Sequence, residues 1–224
     1  MQTIRMLAAT ITLFSLCSFS IAQDYRFEAI DSGPQADEIP AEFAKTFAEQ
    51  GTRVVRGTSR TVSEIWLARE IEVEANFEPT EERLYPFVPG QLIGLLHFTR
   101  RGSDFRDQSV SRGWYTLRFG LQPIDGNHEG TSPTRDFLVM VNIEHDEPEK
   151  IWAEKDLNDA GAEAAGSTHP AMVCLQKPVA EGEQAIRHNE EHDWWILHSI
   201  GNGISDGKPI KLGIDMVVAG HASE

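Results

Sequence analysis

Apolar and polar residues alternate with a period of two over four stretches of the chain, at 64–74, 114–121, 137–143 and 210–218. Because successive side chains of a β-strand point to opposite faces of the sheet, this alternation predicts strands with one face in a core and one face in water. Four further apolar stretches extend the pattern to about eight strands. We therefore predict an all-β fold, an antiparallel β-sandwich of jelly-roll or immunoglobulin-like type. The further stretches are 53–56, 92–98, 172–176 and 194–200.

A helical period occurs before the first of these strands. Ile39, Phe43 and Phe47 are four residues apart, and Pro40 occupies a position suited to the first turn of a helix. The spacing predicts a short N-terminal helix over 40–50.

A second helical segment interrupts the strand pattern later in the chain. The alanine-rich stretch 156–165 has high helix propensity and lies between two predicted strands. We predict a small helical insertion here.

The N-terminus has the three parts of a secretory signal peptide. Arg5 precedes an uncharged run over 6–22, which ends in the small-x-small sequence Ser20-Ile21-Ala22. The sequence therefore predicts a signal peptide at 1–22, cleavage near Ala22, and one domain over 23–224. Since no later run is long enough to span a bilayer, we expect the mature chain to be periplasmic or extracellular.

The charge balance excludes two classes of partner. The chain has 35 acidic and 20 basic residues, a net charge of −15 at pH 7. Nucleic acids and anionic membrane surfaces need a basic face, so neither is an expected partner. A metal ion, a glycan or a protein stays open as partner. Cys174 lies in an apolar stretch and is interpreted as a buried small side chain rather than a reactive thiol.

The connection between the strands at 114–121 and 137–143 resembles a calcium-binding loop. Asp125, Asn127 and Glu129 occupy alternate positions, and Asp136 follows at the twelfth position of the pattern. Oxygen ligands at alternate positions can converge on one ion where a glycine turns the chain. Glu at position five and Asp at position twelve depart from the usual pattern. The alternative is a turn in which the Asx side chains bond their own backbone.

Two histidines extend this candidate metal site. His128 lies within the loop, and His169 precedes Pro170, which holds it in an extended conformation. Together with the four oxygen ligands they could hold calcium or zinc, or His128 could act as a general base. The alternative for Arg135 and Asp136 is a structural ion pair that attaches the loop to the sheet.

Three tryptophans indicate a different possible site, one that binds glycans. Trp66, Trp114 and Trp194 lie in or beside predicted strands. Tryptophans on a sheet face can stack on sugar rings, although such residues more often pack in the core or at its rim. The segment 188–192 matches the H-x-x-E-H motif of zinc proteases, but a strand follows it at once, which indicates a polar turn.

The segment 115–137, YTLRFGLQPIDGNHEGTSPTRDF, resembles a family of uncharacterised exported bacterial proteins of planctomycete and acidobacterial type. The resemblance extends to 64–67 and 168–170. Those relatives typically have an apolar residue where this chain has Glu129, so the resemblance does not support the calcium pattern. It implies export but no activity.

The expected function is therefore that of a non-catalytic binding or accessory module, with metal binding through the loop 125–136. The alternatives are a metal-dependent hydrolase that uses the loop histidines, and a glycan-binding module that uses the tryptophans.

Overall fold

The structure is a computed structural model that describes residues 24–123, 132, 134–179 and 182–222 of the 224-residue chain. β-Strands dominate this part of the chain, which confirms the prediction of a mostly-β protein. The strands are β1 (Tyr25–Ile30), β2 (Gly51–Arg56), β3 (Arg60–Leu67), β4 (Ile71–Glu72), β5 (Leu92–Phe98), β6 (Gly102–Ser103), β7 (Ser109–Val110), β8 (Gly113–Leu121), β9 (Asp136–Asn142), β10 (Met172–Gln176), β11 (Ala185–Asn189), β12 (Trp194–Ser205) and β13 (Lys208–Ala219).

Eleven of these strands join one large mixed sheet, and β6 and β7 pair only with each other, so the predicted β-sandwich is not confirmed. The order is β1-β2-β3-β5-β8-β9-β10-β13-β12-β11, and β4 pairs with β12 in parallel. The reason for the continuity lies in β10. Its first three residues pair with β9, and its last two, Leu175 and Gln176, pair with β13. One short strand thus links two halves that a sandwich would keep as separate sheets.

The sheet curls so that its two ends approach each other. Gln184 Nε2, just before β11, donates a hydrogen bond of 2.5 Å to Thr52 Oγ1 in β2. The rings of Tyr25 and Trp195 lie 5.3 Å apart. The concave side encloses the main apolar core, to which strands from both halves contribute. Its members include Val54, Ile65, Leu96, Leu117, Leu138, Leu175, Leu197, Ile214 and Met216.

The predicted helix over 40–50 is wrong. Only Ala41–Phe43 forms a single 3-10 turn, and Phe47 instead forms a bridge with Ala68. The backbone N–H of Ala48 donates to the carbonyl of Leu67, so bonds to the neighbouring strand replace those of a helix. The apolar residues at 39, 43 and 47 are still buried.

The helical insertion is confirmed as α1 (Glu154–Ala165). Leu157 of this helix packs against Val139 and Val141 on the convex side of β9. Among the described residues, no helix is both long and apolar enough to cross a membrane.

A buried ion pair anchors the chain that leads into α1. The Arg118 guanidinium donates to both carboxylate oxygens of Asp146, at 2.9 and 3.0 Å, and both side chains are fully buried. Arg118 also donates to the backbone carbonyls of Glu147 and Lys150, and Trp152 Nε1 donates to Asp146. This network attaches residues 146–152 to the outer face of β8.

Candidate functional site

Four of the predicted metal ligands, Asp125, Asn127, His128 and Glu129, lie outside the described residues. The calcium or zinc site that they would form therefore stays a prediction. Within the described ranges, no group of three or more His, Cys, Asp or Glu side chains is arranged to hold a metal ion.

Asp136 is buried and has a structural set of partners. Its Oδ1 accepts hydrogen bonds from the backbone N–H groups of Leu84, at 3.0 Å, and Tyr85, at 3.1 Å. Burial raises the pKa of the Asp136 carboxyl, and these two hydrogen bonds oppose the increase. Asp136 therefore holds the segment before β5 against the start of β9.

The described residues include no salt bridge between Arg135 and Asp136, so the predicted contact ion pair is not present. Its Nε donates to the carbonyl of Gln122 at 2.8 Å, which closes the base of the loop. The charge of Arg135 acts on Asp136 only as a minor influence that lowers the carboxyl pKa.

His169 does not come close to Asp136. It is exposed and precedes β10, whose first residue, Met172, pairs with Val139. Val139 is three residues along β9 from Asp136, a distance of about 10 Å in a strand, and His169 lies beyond it. The register therefore places these two predicted ligands at opposite ends of the β9–β10 pair.

The prediction that Trp66 and Trp194 stack on sugars is wrong. They are 3% and 2% exposed, and each indole N–H donates to a backbone carbonyl, at 2.9 and 2.8 Å. Both rings are used in packing. Trp114 is half-buried and stacks on His97 with 3.9 Å between ring centroids.

The H-x-x-E-H segment lies in a hairpin. His188 belongs to β11, and His192 lies in the turn that leads to β12. Each histidine ring stacks on a tryptophan, at 4.6 and 4.3 Å between centroids. The segment thus forms the polar turn that the sequence indicates, not a metal-binding helix.

A cavity of about 480 Å³ opens at one end of the curled sheet. β2, β3 and the segment after β5 contribute one part of its wall, and β13 contributes another. Its inner part is apolar, so burying the hydrocarbon part of a bound molecule there would be favourable. The apolar lining includes Ile65, Leu96, Phe98, Met140 and Val173.

Four arginines line the outer part of this cavity: Arg56, Arg60, Arg100 and Arg101. No carboxylate of the described chain lies within 4.0 Å of their guanidinium nitrogens, although the protein carries a net charge of −15. Arg56 and Arg60 are directly opposite each other in the β2–β3 hairpin. Like charges at such positions repel each other, and a bound anion would relieve the repulsion.

Among these four arginines, Arg56 gives the most specific indication of a ligand site. Its Nε is buried and has no hydrogen-bond partner among the described residues. Its guanidinium carbon lies 5.6 Å from the centroid of the Tyr25 ring, which orients the group beside the cavity. A buried donor without a partner is rare and indicates a missing acceptor.

Asp104 is the one carboxylate among the lining residues, and its oxygens are already used. They accept hydrogen bonds from the backbone of Arg106, Gln108 and Met172 and from the Gln108 side chain, at 2.8 to 3.2 Å. Burial raises the pKa of this carboxyl. The arginines therefore remain available to a ligand.

Sequence reasoning missed this site because its arginines come from two separate places in the chain, the β2–β3 hairpin and the segment after β5. The pair Arg100-Arg101 and the spacing of Arg56 and Arg60 across a short turn were the available signals. The pairing of β3 with β5 brings these two segments together, and the curl of the sheet adds β13 as a further wall of the cavity. Comparison of the chain with family models, with curated proteins and with solved structures gives no match.

Proposed function

We propose that the protein is an exported, non-catalytic binding module that takes an anionic ligand with an apolar body into the arginine-lined cavity. The observation that carries the proposal is the buried Nε of Arg56, which lies beside an apolar wall and has no hydrogen-bond partner in the part of the chain that the structure describes. The volume of about 480 Å³ lies in the range of small-molecule sites.

The ligand class follows from the two parts of the cavity. A carboxylate or similar anion would accept charge-assisted hydrogen bonds from the arginines. An acyl chain or comparable hydrocarbon would occupy the apolar inner part. A small hydrophilic anion would use only the outer part, and a neutral lipid only the inner part. An amphiphilic carboxylate uses both.

Export fits this role. The signal peptide predicted at 1–22 would deliver the module to the periplasm or the outside of the cell. We also infer that the two halves of the curled sheet act as the two layers of a sandwich, since both halves supply side chains to one core.

Isothermal titration calorimetry with dodecanoate tests the proposal. Arg56→Gln removes the charge and the Nε donor. We expect the Kd to rise about 10- to 100-fold, which corresponds to the loss of one charge-assisted hydrogen bond. Arg112→Gln is the matched control, because Arg112 is exposed and does not line the cavity. We expect 1-dodecanol to bind more weakly than dodecanoate. Equal affinity of both variants for dodecanoate would overturn the proposal.

A further inference from the structure

We infer a second binding site, beside His198, that takes a phenol-like ligand whose hydroxyl donates a hydrogen bond to His198 Nε2. The site is a separate cavity of about 630 Å³ that shares no lining residue with the arginine-lined cavity. The inference does not depend on the function proposed above.

The first step is the tautomer of His198, that is, which ring nitrogen carries the hydrogen. His198 in β12 lies directly opposite Asp215 in β13, and its Nδ1 is 2.5 Å from Asp215 Oδ1. The other carboxylate oxygen accepts a hydrogen bond from Arg187 Nη1. Both Asp215 oxygens thus face nitrogen atoms and serve as acceptors, so the Nδ1 of His198 carries the hydrogen. In the neutral imidazole, Nε2 is then a hydrogen-bond acceptor with its lone pair free.

The second step is the state of this acceptor. His198 is 2% exposed, and its Nε2 has no hydrogen-bond partner in the part of the chain that the structure describes. Buried acceptors without a partner are uncommon in native proteins, and each one calls for an explanation. A ligand with a donor group provides it.

The third step is the space beside the ring. A Cβ at Gly213 would lie 2.9 Å from His198 Cε1 and 3.7 Å from Nε2, so a side chain at this position would crowd the edge of the ring that carries Nε2. Gly213 and His198 both line the cavity. The absence of a side chain at 213 thus lets a ligand approach the acceptor.

The remaining lining determines the class of ligand. It is largely apolar, which favours an aromatic or aliphatic body over a sugar or an ion. The Tyr85 hydroxyl is not available, because it donates to the Gln176 carbonyl at 2.7 Å and accepts from the Asp215 N–H at 2.9 Å. The apolar lining includes Phe77, Leu84, Pro86, Pro178, Val179 and Leu212.

These groups fit one hydroxyl donor on an apolar ring. A carboxylate or phosphate would place its own lone pairs against the lone pair of Nε2. Lys211, the cation in the lining, already donates to Asn202 Oδ1 at 2.9 Å. A metal ion would need further ligands, and no suitable group of ligands exists within the described ranges. A phenol provides the donor, and its ring matches the apolar wall.

The test compares phenol with anisole, which has the same ring but no hydroxyl hydrogen. Titrations use the full chain with ¹⁵N-labelled histidine, observed by NMR. We expect phenol to bind at least about 10-fold more tightly than anisole, a difference of about 1.4 kcal/mol. The Nε2 resonance of His198 should shift as phenol binds. Equal binding of both compounds, or an unmoved Nε2 resonance, would overturn the inference.

Two variants separate the acceptor from the cavity. His198→Asn keeps an N–H that can reach Asp215 but removes Nε2, and it should abolish the preference for phenol over anisole. Gly213→Ala covers the ring edge and should weaken the binding of phenol about 10-fold or more. His169→Asn is the control, since His169 is exposed and does not line this cavity. If His198→Asn does not fold, the Nε2 shift of the wild-type protein decides the question.

Discussion

Asp136 fixes Tyr85 by accepting a hydrogen bond from its backbone N–H at 3.1 Å. Tyr85 in turn contacts β10 and β13 through its hydroxyl, which bonds the Gln176 carbonyl and the Asp215 N–H. Its ring stacks on Phe87 at 5.2 Å between centroids. Asp136, predicted as a metal ligand, therefore organises the segment that crosses between the two halves of the sheet.

We expect the carboxyl of Asp136 to make stability fall as the pH rises from mildly acidic values. Burial raises its pKa above the ordinary value of about 3.9, so in the window between the two values the folded state binds more protons than the unfolded state. The free energy of unfolding then decreases with increasing pH across that window. Below the window the contribution to stability is complete, and above the raised pKa it is lost.

Urea unfolding of the wild type and of Asp136→Asn between pH 4 and pH 7 measures this effect. The asparagine keeps an oxygen for the two backbone donors but does not titrate. The wild type should lose more stability over the range, by up to about 1.4 kcal/mol per pH unit for one proton. Burial also raises the pKa of Asp104, so part of the decrease in stability with pH should remain in both proteins. Parallel curves would show that Asp136 is not the group responsible.

Arg118→Met should destabilise the protein by about 3 to 5 kcal/mol, because it leaves Asp146 buried without its cation. Chemical denaturation gives the value. The exposed pair Lys155–Asp159 provides the control, and Lys155→Met should have little effect because water screens that pair. Asp146 also accepts hydrogen bonds from the Thr116 hydroxyl, the Trp152 indole and the backbone N–H of Glu147, and a small loss for Arg118→Met would mean that these donors are enough to stabilise the carboxylate.

Gly161→Ala should destabilise the protein even though alanine favours a helix. A Cβ at this position of α1 would lie 2.5 Å from Val139 Cγ1 and 2.8 Å from Pro170 Cβ. Overpacking of this kind costs about 1 to 3 kcal/mol, more than the gain in helix propensity of about 1 kcal/mol.

The double variant Val139→Ala/Gly161→Ala checks the cause. Removing the methyl groups of Val139 makes room for the new one, so the two changes should be less harmful together than the sum of their separate effects. Strict additivity in thermal or urea unfolding would point away from this contact.

The thiol of Cys174 should be unreactive in the folded protein. It is fully buried, and burial raises its pKa, so little thiolate is present at neutral pH. In a chain with Cys17→Ser, an aromatic disulfide reagent should react only after denaturant is added. Rapid reaction of the native protein would contradict the buried position, which agrees with the interpretation from the sequence.

The local structure of the strands could be predicted from the sequence, but the way they are joined could not. The alternation at 114–121 predicts β8 because each face of a strand has one environment. Nothing in the five residues of β10 shows that they pair with β9 first and β13 afterwards. The helix predicted at 40–50 failed because burial of Phe43 and Phe47 satisfies a helical period without requiring helical hydrogen bonds.

The candidate sites were less predictable still. The sequence draws attention to polar motifs, whereas Arg56 and His198 stand out only because each has a buried nitrogen with no hydrogen-bond partner within the described ranges. That property depends on residues distant in the chain.

The strand order also implies an order of assembly. Most neighbours in the sheet are also near neighbours along the chain, so hairpins can add one after another at low loop-closure entropy. The contact between Gln184 and Thr52 spans 132 residues and joins the two ends of the sheet. We expect it to form late in folding. Since the walls of the arginine-lined cavity come from both halves of the sheet, including Tyr25 of β1 and residues 217–219 of β13, ligand binding should begin only with this last step, and a folding intermediate that already has most of its strands should not bind.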